Sequence, residues 1–254
     1  MPQLSFLSIH VWQRNRDVFI HAWRTDALPM LLEPLVILGV MGMGVGKLVT
    51  EVDGRSYVEF IGPGVLASYV MFGPAFENSW GSYVRMAVRR IYDAMIVTPL
   101  SIEDVITGEI LWGTTRALFM AIVILVILSA LGIVASPLAL LILPFAVLEG
   151  FLVASLAMVY TAKAPSLNAF NYYFSLFIYP MFFLSGVFFP LEELPPALER
   201  FAWVLPLTPA VHVTRNLLEG KLILSMLWSV LAMAGGSIAL YWLALRLMRH
   251  RLIR

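Results

Sequence analysis

The stretch Thr107-Gly-Glu-Ile-Leu-Trp-Gly-Thr-Thr-Arg-Ala-Leu-Phe-Met-Ala-Ile-Val-Ile-Leu-Val-Ile-Leu-Ser-Ala-Leu131 decides the fold. As a helix it is long and apolar enough to cross a bilayer, because about 20 apolar residues cover the ~30 Å of hydrocarbon at a rise of 1.5 Å each. The same pattern recurs on both sides of it. Six stretches qualify as spans: 29–48, 60–82, 107–131, 138–161, 168–189 and 225–246. Composition agrees. Of 254 residues, 60% are hydrophobic and 13% charged, against roughly 45–50% and about 25% in a soluble domain. Mean hydropathy is +0.86. So much apolar surface needs lipid around it, which excludes a soluble enzyme, and the length leaves room for one membrane domain. The expected fold class is an all-α integral membrane protein. There is no cysteine, hence no disulfide framework and no thiolate metal site. A net charge of +1 gives no pull toward nucleic acid, which is not an expected partner.

Residues 1–28 lack the apolar run and small-residue cleavage site of a signal peptide. Phe6, Ile9, Val11, Trp12, Val18, Phe19, Ala22 and Trp23 recur at helical spacing, with Arg14, Arg16 and Arg24 between them. That pattern predicts an amphipathic helix in the headgroup layer. The basic residues of the connections then set orientation. Arg14, Arg16, Arg24, Arg85, Arg89, Arg90, Lys163, Arg246, Arg249, Arg251 and Arg254 fall on one side. Lys47, Arg55, Arg200, Arg215 and Lys221 fall on the other. By the positive-inside rule both termini are expected in the cytoplasm, consistent with an even number of spans.

Two connections are not ordinary loops. Residues 83–109 read as a helix that breaks at Thr98-Pro99, since the residue before a proline is driven out of the α region. Ser101 with Asp104 three residues on is a capping-box pattern, so a new helix is expected from about Ile102. The segment 85–97 carries Met86, Val88, Ile91, Tyr92, Met95 and Ile96. It needs a membrane surface or a partner protein to cover them. The external connection 190–220 is too apolar for a free loop and too rich in proline to cross. Two short helices near 195–204 and 208–219, dipping into the outer leaflet as re-entrant segments between spans five and six, fit it best. Such backbone is tolerated at depth only under protein or around a water-filled cavity.

Together these features resemble the ABC-2 type membrane permeases, and among them the nodulation-factor, or lipooligosaccharide, export permeases. The resemblance covers about 29–254. It is carried by Gly42-Met-Gly-Val-Gly-Lys47 with Val52-Asp-Gly-Arg-Ser-Tyr57, by Arg89-Arg-Ile-Tyr-Asp-Ala-Met95 with Thr98-Pro-Leu-Ser101, and above all by Phe183-Leu-Ser-Gly-Val-Phe-Phe-Pro190 with Leu194-Pro195 and Leu205-Pro-Leu-Thr-Pro209. The resemblance implies a bacterial inner-membrane exporter. Two six-span permeases pair with two ATP-binding subunits, which hold the ATP and magnesium, so that this chain carries no cofactor. It implies that Arg85, Arg89, Arg90, Tyr92 and Asp93 belong to the helix that couples to the ATPase. It also implies that the external helices around Pro190, Pro195, Pro206 and Pro209 close the outer end. The cargo would be amphipathic: lipooligosaccharide, polysaccharide, lipid or drug.

No G-x-x-x-x-G-K-[ST] is present, so no P-loop is expected. Gly42-Met-Gly-Val-Gly-Lys47 lacks the spacing and the hydroxyl and reads as close helix packing. Leu184-Ser-Gly186 lies in a span. His10, His21, His212 and His250 are too scattered for a metal site. Glu77, Arg116 and Glu149 lie within spans, where charge is costly and faces the interior or water. Glu77 and Arg116 fit a structural pair between spans two and three. Glu149 faces a pathway or competes for Arg116. In span five, Tyr173, Phe177, Phe182 and Phe183 either line a hydrophobic slot or face lipid and a second copy. An intramembrane enzyme on lipid or glycan would need a catalytic partner for Glu149, and none is evident. An ion-driven carrier would often show matched broken helices in two halves. Here the broken segments cluster after span five.

Overall fold

The computed structural model describes residues 5–49, 51–52 and 54–253. Asp53, Arg254 and the first four residues of the N-terminal segment, which entered the readings above, lie outside the described residues. The described chain is helical apart from turns and one isolated bridge between Val52 and Arg55. Five helices are long and apolar enough to cross a membrane: α2 (Trp23–Leu48), α3 (Tyr57–Val88), α5 (Ile102–Ala130), α6 (Pro137–Lys163) and α10 (Leu224–Leu252). Around them lie α1 (Ser8–His21), α4 (Ile91–Ile96), α7 (Ala169–Leu184), α8 (Pro196–Ala202) and α9 (Leu207–Leu218).

Local chemistry sets several boundaries. Ser56 accepts from the Glu59 backbone N–H while Glu59 accepts from Ser56, a capping box that starts α3. Ser101 and Asp104 make the same box at the start of α5, where the sequence places it. α4 stops before Thr98-Pro99 as expected. Two boundaries differ from the sequence reading. The chain turns at Ala22, so the first long helix begins at Trp23 rather than at 29. The helix expected over 85–97 is in two pieces: Val84–Val88 finishes α3, and Arg90 takes a left-handed conformation (φ 49°) that turns the chain into α4.

α7 has 16 residues, about 24 Å of helix at 1.5 Å per residue, short of the span expected over 168–189. Ser185 ends it, and Gly186 at φ 74° turns the chain away. Val187 then lies against Gly64 of α3, where an added Cβ would stand 2.8 Å from the Val187 Cα. Helices do occupy the connection 190–220: Pro195 precedes α8, Pro206 precedes α9, and Pro209 sits in the first turn of α9. Proline suits those positions because the first amides of a helix have no partner to lose.

α3 is the inner helix. Ile61, Val65, Ala67, Val70 and Ala75 are fully buried along it. Small residues let its neighbours close in. A Cβ at Gly150 of α6 would stand 2.4 Å from the Ala117 Cβ of α5, the close approach by which membrane helices gain packing without a hydrophobic driving force. α2 and α10 are peripheral and expose Leu32, Val36, Val40, Trp228, Leu231 and Ile238. α1 lies along α5. Val11 is buried over Gly108, where an added Cβ would meet the Val11 Cβ at 2.5 Å. Trp12 Nε1 donates to Thr115 Oγ1 at 2.8 Å, and Phe19 packs edge-on to Trp112. The amphipathic helix is thus fixed to a span over its whole length.

Candidate functional site

α3 departs from regular α-helix over Glu77–Gly81 and again over Val84–Val88, both as π-helical turns. Such turns occur mostly as single insertions and often mark functional places. Here they bring Glu77 and Arg85 to one buried cluster. Arg85 Nη1 is 2.7 Å from Glu77 Oε1, and its Nη2 is 2.5 Å from Glu109 Oε2 of α5. Arg116 Nη1 donates to the other oxygen of Glu77 at 2.7 Å. Ser82 Oγ donates to Glu109 Oε2 at 2.8 Å, and Asn15 Nδ2 of α1 donates to Oε1 at 3.1 Å. Asn78 Nδ2 caps the Glu109 carbonyl at 2.9 Å, and Thr161 Oγ1 of α6 donates to the Asn78 carbonyl at 2.8 Å. Four helices meet at this cluster. Two carboxylates and two guanidinium groups neutralise one another there, which is what charge at membrane depth requires.

The Glu77–Arg116 pair expected from sequence is present. Glu149 does not compete for Arg116. It is 2% exposed and its Oε1 has no hydrogen-bond partner. Glu109 was not singled out in the sequence, where it reads as the end of a cytoplasmic connection. Its signal was the capping box at Ser101, which puts it two turns inside α5.

The five residues expected at the coupling segment separate into two groups. Arg89, Arg90 and Asp93 are exposed. Tyr92 is fully buried, and Arg85 is held inside by the two glutamates. The exposed turn is therefore attached directly to the buried charge cluster.

The four aromatic residues singled out in α7 do not share one face. Tyr173 and Phe177 line an apolar groove with Tyr160 and Leu156 of α6, and Tyr173 stacks on Tyr160 at 4.8 Å. Phe182 packs edge-on to Phe72 at 5.2 Å, while Phe183 is exposed beside Phe188. A half-open pocket of about 260 Å³ is lined instead by Glu33, Tyr69, Phe72, Phe76, Arg116 and Tyr179. Of these, Glu33, Tyr69, Phe72 and Phe76 escaped the sequence reading. They are spread over two helices whose relative rotation hydropathy does not give.

At the opposite end Arg215 of α9 donates to the Gly186 carbonyl at 2.9 Å and stands 4.3 Å over the Phe60 ring. It ties α9 to α3 and to the turn after α7. Arg55 pairs with Glu219, and Lys221 Nζ lies 2.8 Å from the same carboxylate. Burial alone would raise the Glu219 pKa, but hydrogen bonds from Arg55 and Lys221 and their charges hold it below the usual range.

Residues 8–218 match the ABC-2 type transporter family. The chain is 34% identical to nodulation protein J of Rhizobium meliloti (strain 1021), over all of this chain and 97% of that protein. It is 36% identical to nodulation protein J of Rhizobium leguminosarum bv. trifolii over the same shares of the two chains. A more distant relative is the inner membrane transport permease YadH of Escherichia coli (strain K12), 25% identical over 78% of this chain and 77% of that one. A multi-pass helical protein whose whole length aligns with such permeases belongs to the ABC-2 type transporter family as a membrane-spanning permease of the nodulation protein J group.

Proposed function

We propose that this chain forms the translocation path of an exporter driven by a separate ATP-binding-cassette ATPase. The observation that carries this reading is the turn at Arg89–Asp93. Its charged residues Arg89, Arg90 and Asp93 are exposed, it breaks between two helices, and it is rooted by buried Tyr92 and through Arg85 in Glu77 and Glu109. A push on that turn by a partner reaches α3 and α5 without a flexible link between them. Two copies of this permease join two ATPase copies, and ATP with magnesium is bound by the partner. α7 serves as a sixth, short span, and α8 and α9 enter the outer leaflet and close the outer end under the lock formed by Arg215. Both termini face the cytoplasm of a bacterial inner membrane. The cargo is amphipathic, and the likeness to nodulation protein J favours the lipooligosaccharide end of that class. Alternating access follows if the ATP-bound partner prefers one permease state energetically.

The test is co-purification in mild detergent from the native host, with mass spectrometry of bound proteins and lipids. An ATP-binding-cassette ATPase at one-to-one stoichiometry, with a glycolipid retained, is the expected result. A permease that elutes alone, and whose transport in vesicles ignores ATP, rejects the reading.

A further inference from the structure

A second cavity, of about 110 Å³, lies between α1 and the Arg90 turn. Its wall contains Arg14, Arg85, Arg89 and Arg116, with Glu77 as the facing carboxylate and Asn15 beside it. Glu77 and Glu109 are already taken by Arg85 and Arg116. Arg14 and Arg89 have no carboxylate within salt-bridge reach among the described residues, and Arg14 Nη1 donates only to Asn15 Oδ1 at 2.9 Å. Arg116 Nε is buried without a partner. Four guanidinium groups against two carboxylates leave an excess of positive charge around a space the size of one tetrahedral oxyanion. Burial lowers the Arg14 pKa more than Glu109 raises it, and Arg85 and Arg89 push it further down. Like charges gathered this way are stabilised by an anion, and planar guanidinium forks suit phosphate geometry. Phe19 and Trp112, packed edge-on, complete the lining.

We propose that this cavity binds a phosphate group, held by Arg14 and Arg89 with Arg116 Nε behind it, so that the anion joins α1 to the Arg90 turn. The phosphate belongs either to an anionic phospholipid of the adjoining leaflet or to free inorganic phosphate. Occupancy does not depend on an ATPase or on cargo, so this site and the exporter reading fail separately.

The experiment uses the purified full chain in phosphatidylcholine nanodiscs, with and without phosphatidylglycerol, and separately titrated with inorganic phosphate. Thermal melting and native mass spectrometry read binding. Wild type is expected to retain phosphatidylglycerol or phosphate, and R14Q/R89Q to bind about tenfold or more weakly, as expected for lost charge-assisted hydrogen bonds. R246Q, at an exposed arginine far along α10, is expected to bind like wild type. Stabilisation by phosphatidylglycerol alone names lipid as the source, and stabilisation by inorganic phosphate names the free anion. Equal binding by wild type and R14Q/R89Q in both series overturns the site, and so does an equal loss in R246Q. If the double variant does not fold, R89Q alone decides it, because Arg89 is exposed.

Discussion

Two buried glutamates illustrate how much a partner matters. Glu77 satisfies two arginines at once, while Glu149 has an oxygen with no partner at all. Glu77→Gln leaves Arg85 and Arg116 sharing one charge fewer, and breaking a buried pair costs about 3–5 kcal/mol. Its melting temperature in detergent should fall well below that of wild type. Glu149→Gln removes no ion pair and keeps the shape, so its stability should change by less than about 1 kcal/mol. A loss of export at unchanged stability would then assign Glu149 to the pathway, and unchanged export would remove it. At the end of α9 the lowered pKa of Glu219 gives a pH signature. Its contribution is fully present above the unfolded carboxylate value of about 4.3 and is lost as pH falls through the lower folded value. The melting temperatures of wild type and Glu219→Gln should differ at neutral pH and converge below about pH 4. A constant difference down to pH 3 would place the stabilisation elsewhere. Of these residues the sequence showed Glu77, Arg116 and Glu149, because a charge inside an apolar run is conspicuous. It did not show the burial of Arg85, whose two carboxylates lie on separate turns and separate helices.

Among the elements, the segment 85–97, proposed to couple to the ATPase, was legible in composition and misread in shape. Apolar residues between arginines announced that 85–97 needs a cover, and Thr98-Pro99 with the Ser101 cap marked the next helix correctly. Nothing announced the break at Arg90. A left-handed residue is normally glycine, because an L side chain there costs roughly 1–2 kcal/mol. The cluster around Arg85 holds the preceding turn in place, and the strain falls on the next free position. Arg90→Gly should therefore stabilise the protein by up to about 1 kcal/mol, visible as a small rise in melting temperature, and it should keep coupling if backbone shape is what the partner reads. Arg90→Glu keeps the strain and reverses the charge on the exposed face. It should uncouple export from ATP hydrolysis while the chain still folds. Normal transport by Arg90→Glu would count against any role of this turn in docking. The amphipathic character of α1 was equally legible, but its attachment to α5 was not. Gly108 reads as a neutral helix residue until Val11 is found on top of it.

For the whole molecule, hydropathy found the apolar runs, since crossing a bilayer is a matter of length and polarity, but only five of the six expected spans are helices long enough to cross, and the fifth stops at Leu184. Hydropathy gave no rotation of one helix against another, so it could not say that α3 is enclosed while α2 and α10 show apolar residues outward. Those outward faces must meet lipid or a second copy. The orientation rests on eleven basic residues against five, a bias that acts during insertion and leaves no mark on packing. It is open to direct measurement because the chain has no cysteine. Val97, 86% exposed in the connection before α5, and Val204, 78% exposed between α8 and α9, accept single cysteines with little disturbance of the core. With both termini inside, a membrane-impermeant thiol reagent should label Val204→Cys in intact cells, and Val97→Cys only after the cells are opened. The reverse pattern would invert the protein and place the Arg90 turn outside, beyond the reach of any cytoplasmic ATPase. Labelling of both in intact cells would mean that α3 and α5 do not hold the two connections on opposite sides, and the path built on them would have to be abandoned.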